Sequence, residues 1–507
     1  MHLLKVNLIK IRDKYLKKLT NKLKMSKKIL LIYAGKKANV PRFPISCMAL
    51  AAYLREHKYS PEILDLRINP NFENIDFNQY LCVGISTETG EALKYAIKIS
   101  KHIKKINPEL PIIWGGHHAS FHPEETLDNP YIDCIVKNEG EQALLNSIKD
   151  IEKDSLKGCL KKIYEEKFID IEKLPLAAYE LVDIQKYSDA IEGFGYESSR
   201  GCPHRCKFCY ANLFHRSKWR SKSVKKTTKE IENLVNIYKT KKIRFLEDNF
   251  FVNKKRALEI AESFIKRKLN IEWTATIRFD YLSTYKQEEL KLLKESGYWV
   301  AILGAESGSQ KTLDFITKDI TTKQIEVGVK KCLDASLMTQ ISFMAGFPTE
   351  TKEEVLETLN FYDKIVNFDK KHVEVNGIFI FCPYPGTDLY QIAINHGYKP
   401  PKTLEEWGEW QFNNLRNVNW LKKKYRKYLQ NISLISRFKY FTHRINFSEK
   451  EYIDKKFKLN PLTKIAFKAF IKFYVTSAEF RWKRRLFNYA PEWWVYEKIR
   501  NLKMEIY

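Results

Sequence analysis

The sequence predicts an α/β fold in two parts: a doubly wound parallel sheet over residues 25–150 and a partial barrel of six strand–helix repeats over residues 191–395. Three observations predict it. From Met25 to about residue 150, short apolar runs alternate with amphipathic stretches, the pattern of βα units that build a parallel sheet. The same alternation restarts near residue 193 and continues through six repeats. Outside these spans the pattern changes: residues 151–190 read as a linker and residues 396–507 as a helical, basic, aromatic region.

The first 24 residues, "MHLLKVNLIKIRDKYLKKLTNKLK", read as a basic amphipathic helix of the kind that lies on a membrane surface. The stronger reading is an extension ahead of Met25, because "MSKKILLIYAG" has the form of a natural first strand. "KILLIYAG", "PEILDLR", "YLCVGIST", "PIIWGG" and "YIDCIVKNEG" are the five expected strands, with helices at "ISCMALAAYLREH", "GEALKYAIKISKHIKKI" and from Glu141. Ligands of such sheets bind beyond the carboxyl ends of the strands. Those ends are Gly35, Ser86 to Thr89, Gly115-Gly116-His117-His118 and Glu139-Gly140-Glu141, where glycines let a large ligand approach the backbone.

The second series has strands at "GFGYESS", "KIRFLEDNF", "IEWTATIRFD", "YWVAILGAESGS", "LMTQISFMAGFP" and "VEVNGIFIFCPYPG". In barrels of this type the functional groups stand at the carboxyl ends of the strands. The loop after the first strand holds "RGCPHRCKFC", with Cys202, Cys206 and Cys209 inside eight residues. A structural zinc site needs four ligands. There is no second cysteine pair, so zinc would have to recruit His204 or His215. Three thiolates in one loop suit a 4Fe–4S cluster with one iron left open, since full ligation takes four.

The C-x3-C-x2-C spacing, with Phe208 before the last cysteine, resembles the radical S-adenosylmethionine superfamily. "FLEDNF", "GAESGS", "GFPTET", "PYPGT", "GGHHASFHPEETL" and "KNEGEQAL" resemble blocks of its branch with an N-terminal cobalamin-binding domain, over about residues 26–395. The resemblance implies a flavodoxin-like strand order for the first sheet. It implies a 4Fe–4S cluster on Cys202, Cys206 and Cys209, and S-adenosylmethionine held near Phe208, Glu247, Asp248 and Glu306. It places cobalamin against Ser86, Thr87, Gly115, Gly116, His117, Glu139 and Gly140. The D-x-H-x-x-G stretch that supplies a lower cobalt ligand in many such domains is replaced here by "AGKKANVPRFP". The implied activity is C-methylation of an unactivated carbon through a 5′-deoxyadenosyl radical and methylcobalamin. The implied substrate is a small molecule, lipid or tetrapyrrole, and the implied reductant a flavodoxin- or ferredoxin-type protein.

Three other readings stay open on the sequence. An anaerobic oxidative cyclase or rearrangement enzyme, resembling the magnesium-protoporphyrin ester cyclase, would use the same cofactors. A methylthiotransferase would gather Cys47, Cys82 and Cys134 around a second cluster, although the first strand lacks the cysteine that family shows there. An RNA- or membrane-binding protein would retain only the motif. The net charge of +27 leaves the last of these in play; residues 401–507 alone hold 24 Lys and Arg against 10 Asp and Glu. The cations are scattered, with no compact Arg-rich run and no RNA-binding signature, so no DNA partner is expected and peripheral membrane contact stays open. Nine sparse cysteines fit a reducing cytoplasm, and no apolar run of about 18 residues is present to span a membrane. Trp407, Trp410, Trp420, Trp482, Trp493 and Trp494 make the C-terminal region an expected cap on the barrel and a lid over its cavity.

Overall fold

The computed structural model describes residues 27–37, 41–188, 193–410, 418–437, 439 and 461–494. The expected helix over residues 1–24 lies outside them. The first sheet contains β1 (Lys28–Tyr33), β2 (Ser60–Asp65), β3 (Cys82–Ser86), β4 (Ile112–Gly115), β5 (Cys134–Val136) and β6 (Lys162–Tyr164), all parallel, in the order β2-β1-β3-β4-β5-β6. Along β1 the side chains alternate between two cores: Ile29 and Leu31 on one face, Leu30 and Ile32 on the other. Both faces are covered, as a doubly wound sheet requires. The strand order reverses between β1 and β3 and leaves a crevice at their carboxyl ends. Five strands were expected. The sixth, "KIY", lies in the stretch read as a linker; it is too short and too exposed at the sheet edge to carry an apolar signal.

The second sheet holds β7 (Phe194–Tyr196). Then come β8 (Ser199–Arg200) and β9 (Arg220–Ser221), a small antiparallel pair at the base of the cysteine loop. β10 (Lys242–Phe245), β11 (Glu272–Thr276), β12 (Tyr298–Glu306), β13 (Met338–Ala345) and β14 (Val373–Ile380) complete it. The order β14-β13-β12-β11-β10-β7 is parallel and consecutive, the open six-strand barrel that was expected. The connecting helices are fixed at their starts by local chemistry. Before Lys352–Val366, Thr351 Oγ1 accepts from Glu354 N at 3.2 Å while Glu354 Oε2 accepts from Thr351 N at 2.8 Å.

The C-terminal region divides its packing, which differs from the expected cap on the barrel alone. Leu404, Trp407 and Trp410 join the core of the first sheet. Trp407 lies 4.9 Å from the His122 ring, and its indole N–H donates to Glu125 Oε1 at 3.1 Å. Residues 423–437 are helical and lie along β14: Ser436 Oγ accepts from Ile378 N at 2.9 Å. Among the described residues no helix is long and apolar enough to cross a membrane.

Candidate active site

Three consecutive residues at the end of β10 hold the cysteine loop at three points. Glu247 is buried, accepts from the backbone N–H of Ser198 and of Ser199 (3.1 Å), and takes the Ser199 hydroxyl at 2.8 Å. Asp248 Oδ2 lies 3.5 Å from His215 Nε2, where the loop closes. Asn249 Nδ2 lies 3.7 Å from Cys202 Sγ. Burial raises the Glu247 and Asp248 carboxyls, opposed by Arg256 in the first case and by His215 and His117 in the second. Glu247, expected beside S-adenosylmethionine, has both oxygens engaged by the loop backbone and Ser199; Asp248 keeps an accessible side.

Cys206 is buried, and Cys202 and Cys209 are half-buried. Burial pushes the Cys209 thiol up to about 12 and raises that of Cys202. Burial thus disfavours both thiolates, and a bound cation would favour them. Arg278 Nη1 lies 3.4 Å from Cys206 Sγ, and Arg278 Nη2 donates to Lys318 O at 2.5 Å. Among the described residues no three His, Cys, Asp or Glu side chains converge as ligands of a single metal ion. A cube instead takes its thiolates on separate irons, and the donor set of three sulfurs flanked by a guanidinium fits it. The histidines a zinc site would need are engaged: His204 Nε2 pairs with Tyr281 OH at 2.7 Å, and His215 sits between two carboxylates.

Glu306 ends β12 with φ +61°, where the register with β13 slips. A glutamate in the left-handed region is strained backbone, held here by its surroundings. Its Oε1 accepts from Lys318 Nζ at 2.8 Å, both side chains buried. Burial alone would lower the Lys318 ammonium, but Glu306 and Cys206 outweigh it and raise the group. Lys318 also stands 5.9 Å over the Phe208 ring, which lies 6.2 Å from Phe347 in the "GFPTET" turn. Phe208, Glu306, Arg278 and Lys318 thus gather around Cys206.

The strand ends of the first sheet face this loop. Glu139 accepts from Arg220 Nη1 at 3.0 Å and lies 3.4 Å from Arg200 and 3.2 Å from His215 Nδ1. Burial would raise its carboxyl, yet the bonds from His215 and Arg220 and the nearby arginine charges hold it down at about 2. Arg200 also pairs with Glu141 at 2.8 Å. The Glu139 carboxylate, expected against cobalamin, is thus occupied by three barrel side chains and joins the two domains. Thr87 is fully buried, its hydroxyl donating to Gly115 O at 2.9 Å. A Cβ on Gly116, at φ +93°, would stand 2.5 Å from Thr87 O, and one on Gly115 3.3 Å from Val136 O. One on Gly140 would stand 3.1 Å from Leu50 Cδ2. Gly115 and Gly116 answer the sheet's own packing, whereas the nearest atom to a Cβ on Gly140 is the flexible end of Leu50. Ser86, half-buried, has its hydroxyl 3.3 Å from that of Ser46 in the crevice between β1 and β3. Beside it, Tyr33 OH donates to Glu88 Oε1 at 2.7 Å.

His117 crosses between the parts. Its ring is 4.5 Å from Tyr210, the residue after Cys209, and 4.9 Å from Phe214; burial lowers its imidazole, opposed by Glu88 and Asp248. Tyr210 is 5.6 Å from Tyr384 at the end of β14, and Tyr384 is 5.3 Å from Trp410. An aromatic wall therefore runs from the first sheet past the cysteine loop to the C-terminal region. His118 turns away: it is buried, 3.2 Å from Thr89 Oγ1, and lowered to about 3 by burial and by His122. Arg278, Lys318, Tyr210 and Tyr384 were not singled out in the sequence, and His215 was named there only as a zinc ligand. Only Tyr210 carried a signal, its place beside Cys209. Cys47, Cys82 and Cys134 are all buried; Cys47 lies on a helix near Asp65 and Arg67, while Cys82 and Cys134 stand on strands separated by β4. All three belong to the core packed on one face of the first sheet, where burial raises their thiols.

Comparison with known proteins follows the same division. The B12 binding domain family matches residues 35–147 and the Radical SAM superfamily residues 196–362. An uncharacterized methyltransferase of Pyrococcus horikoshii is 31% identical over 474 residues, covering 88% of this chain and 92% of that protein. The anaerobic magnesium-protoporphyrin IX monomethyl ester cyclase of Rubrivivax gelatinosus is 26% identical over 373 residues, 68% of this chain and 64% of its own length. The solved structure of the cobalamin-dependent S-adenosylmethionine radical enzyme OxsB, with aqua-cobalamin and S-adenosylmethionine bound, superposes with a TM-score of 0.67 at 18% identity. It covers 96% of this chain and 76% of that one.

Proposed function

Because the chain belongs to the radical S-adenosylmethionine superfamily, in the branch with a B12-binding domain, we propose that it transfers a methyl group to an unactivated carbon. The observation that carries this is the contact of His117 with Tyr210, which brings the strand ends of the first sheet against the cysteine loop. When bound, the cluster and cobalamin would supply one-electron cleavage of S-adenosylmethionine and a transferable methyl group. Cys202, Cys206 and Cys209 hold the cluster; Phe208, Glu306, Lys318 and Arg278 shape the S-adenosylmethionine side, with Asp248 facing the space between the domains. The β1/β3 crevice at Ser86, bordered by Gly115, Gly116 and His117, takes the corrin. Tyr210, Tyr384 and Trp410 exclude water from the reacting groups. The substrate is a small molecule, lipid or tetrapyrrole, the reductant a flavodoxin- or ferredoxin-type protein, and the compartment the cytoplasm.

The test is anaerobic reconstitution with iron, sulfide and cobalamin, followed by product analysis. Methyl transfer gives methylated product with both S-adenosylhomocysteine and 5′-deoxyadenosine. A second reading, oxidative cyclisation, is favoured by the likeness to the ester cyclase; it gives 5′-deoxyadenosine alone. Turnover that survives Cys206→Ala would overturn both.

A further inference from the structure

In the helix Pro461–Lys483, apolar side chains from Phe473 onward lie on two opposite sides. Val475, Ala478 and Trp482 form the inner one: all three are buried, and the Trp482 indole N–H donates to Asp363 Oδ1 at 2.8 Å. Phe473 and Phe480, two turns apart, lie diametrically opposite and are 68% and 49% exposed. Leu486 and Tyr489, just past the helix end, are exposed as well. The outer side of a helix packed on a domain is ordinarily polar, so bulky apolar residues aligned there mark a contact surface.

The fully exposed charges beside this stripe are of one sign. Lys472, Lys483 and Arg484 are exposed, and the Arg484 guanidinium lies 4.1 Å from the Phe480 ring centre. Of the nearby acids, Glu492 is fully buried against Arg481 at 3.0 Å and Glu479 is half-buried. We propose that this face docks on an anionic lipid surface, with Phe473 and Phe480 entering the headgroup layer and Lys472, Lys483 and Arg484 meeting lipid phosphates. A second copy of the chain is the poorer occupant, since two such faces would set cations against cations. A convex helix also offers no groove in which a nucleic-acid strand could lie. The surface lies outside the cofactor site, so the inference stands or falls separately from methyl transfer.

The test is co-sedimentation of the full chain with vesicles of equal parts phosphatidylglycerol and phosphatidylcholine, and with phosphatidylcholine alone. The chain is expected to pellet with the anionic vesicles at low salt, about tenfold more weakly with the neutral ones, and to be released by salt. The F473S/F480S double variant is expected to weaken anionic binding about tenfold or more, and K483E/R484E likewise. Cleavage of S-adenosylmethionine in solution and the thermal midpoint should stay at parental values in both variants. Failure of the parent to pellet overturns the proposal. So does pelleting that both variants leave unchanged, which would place the contact elsewhere on the chain. A dimer that F473S/F480S converts to monomer, or RNA retention lost in the variants while vesicle binding persists, overturns it too.

Discussion

Lys318 Nζ lies 2.8 Å from Glu306 Oε1, with both side chains buried beside the loop that bears Cys206. This pair joins the end of β12 to the segment against which the Phe208 ring rests.

Glu306→Gln is expected to leave a buried ammonium without its counter-charge and to cost about 3–5 kcal/mol of stability. The double change Glu306→Gln with Lys318→Met should cost much less, since neither charge then remains. A double-mutant cycle by urea denaturation reads the coupling directly. A single-variant loss below about 1 kcal/mol would mean the pair is not what holds this corner.

Glu139 gives a pH dependence of known sign. Its carboxyl is held at about 2 in the folded chain by His215, Arg220 and Arg200, below its ordinary 4.5. A depressed acid stabilises above its unfolded value and loses that contribution as pH falls from about 4.5 toward about 2. Glu139→Gln should therefore be less stable at neutral pH, by on the order of 3 kcal/mol, and should lack this acid-sensitive window. Unfolding free energies measured between these limits check it; parallel curves for parent and variant would refute it.

Glu350 behaves in the opposite sense. Burial pushes its carboxyl up to about 8 even though the backbone N–H groups of Gly346 and Phe347 donate to it, and its Oε1 has no partner among the described residues. An acid raised in the folded state binds its proton there while the unfolded chain has lost it. Stability then falls as pH rises from about 4.5 to about 8, and levels off above. Glu350→Gln should flatten that slope while still accepting from both N–H groups. Thermal midpoints across this range are the measurement.

Gly116 and Gly140 separate packing from ligand approach. A Cβ at Gly116 meets Thr87 O at 2.5 Å in backbone at φ +93°, so Gly116→Ala should cost at least about 2 kcal/mol. At Gly140, where φ is −92° and the nearest atom is the flexible end of Leu50, Ala should cost less than about 1 kcal/mol. Chemical denaturation of the two variants, without any cofactor, discriminates them.

The two sheets and the cysteine triplet were legible in the sequence because their signals are local. A buried parallel strand such as "KILLIY" is a continuous apolar run, and the triplet is complete within eight residues. β6 escaped because three edge residues, two of them exposed, have no periodicity to read. Arg278 and Lys318 escaped for another reason: a buried cation is defined by its partner. Those partners, Cys206 and Glu306, are brought together by the closing of the barrel rather than by spacing along the chain. Glu139 was noticed at the right strand end, but nothing in "KNEGE" shows that Arg200, Arg220 and His215 of the barrel arrive there. The split of the C-terminal region was equally invisible, since Trp407 and Trp482 sit in similar aromatic surroundings but bury against different sheets.

β14 would be a bare margin of the second sheet were it not for residues 423–437, whose Ser436 hydroxyl takes the Ile378 amide. The catalytic half of this molecule therefore cannot be excised as a unit ending near residue 395. Cut there, it would expose an eight-residue strand with open hydrogen-bonding positions, a template for any passing chain to add to and polymerise.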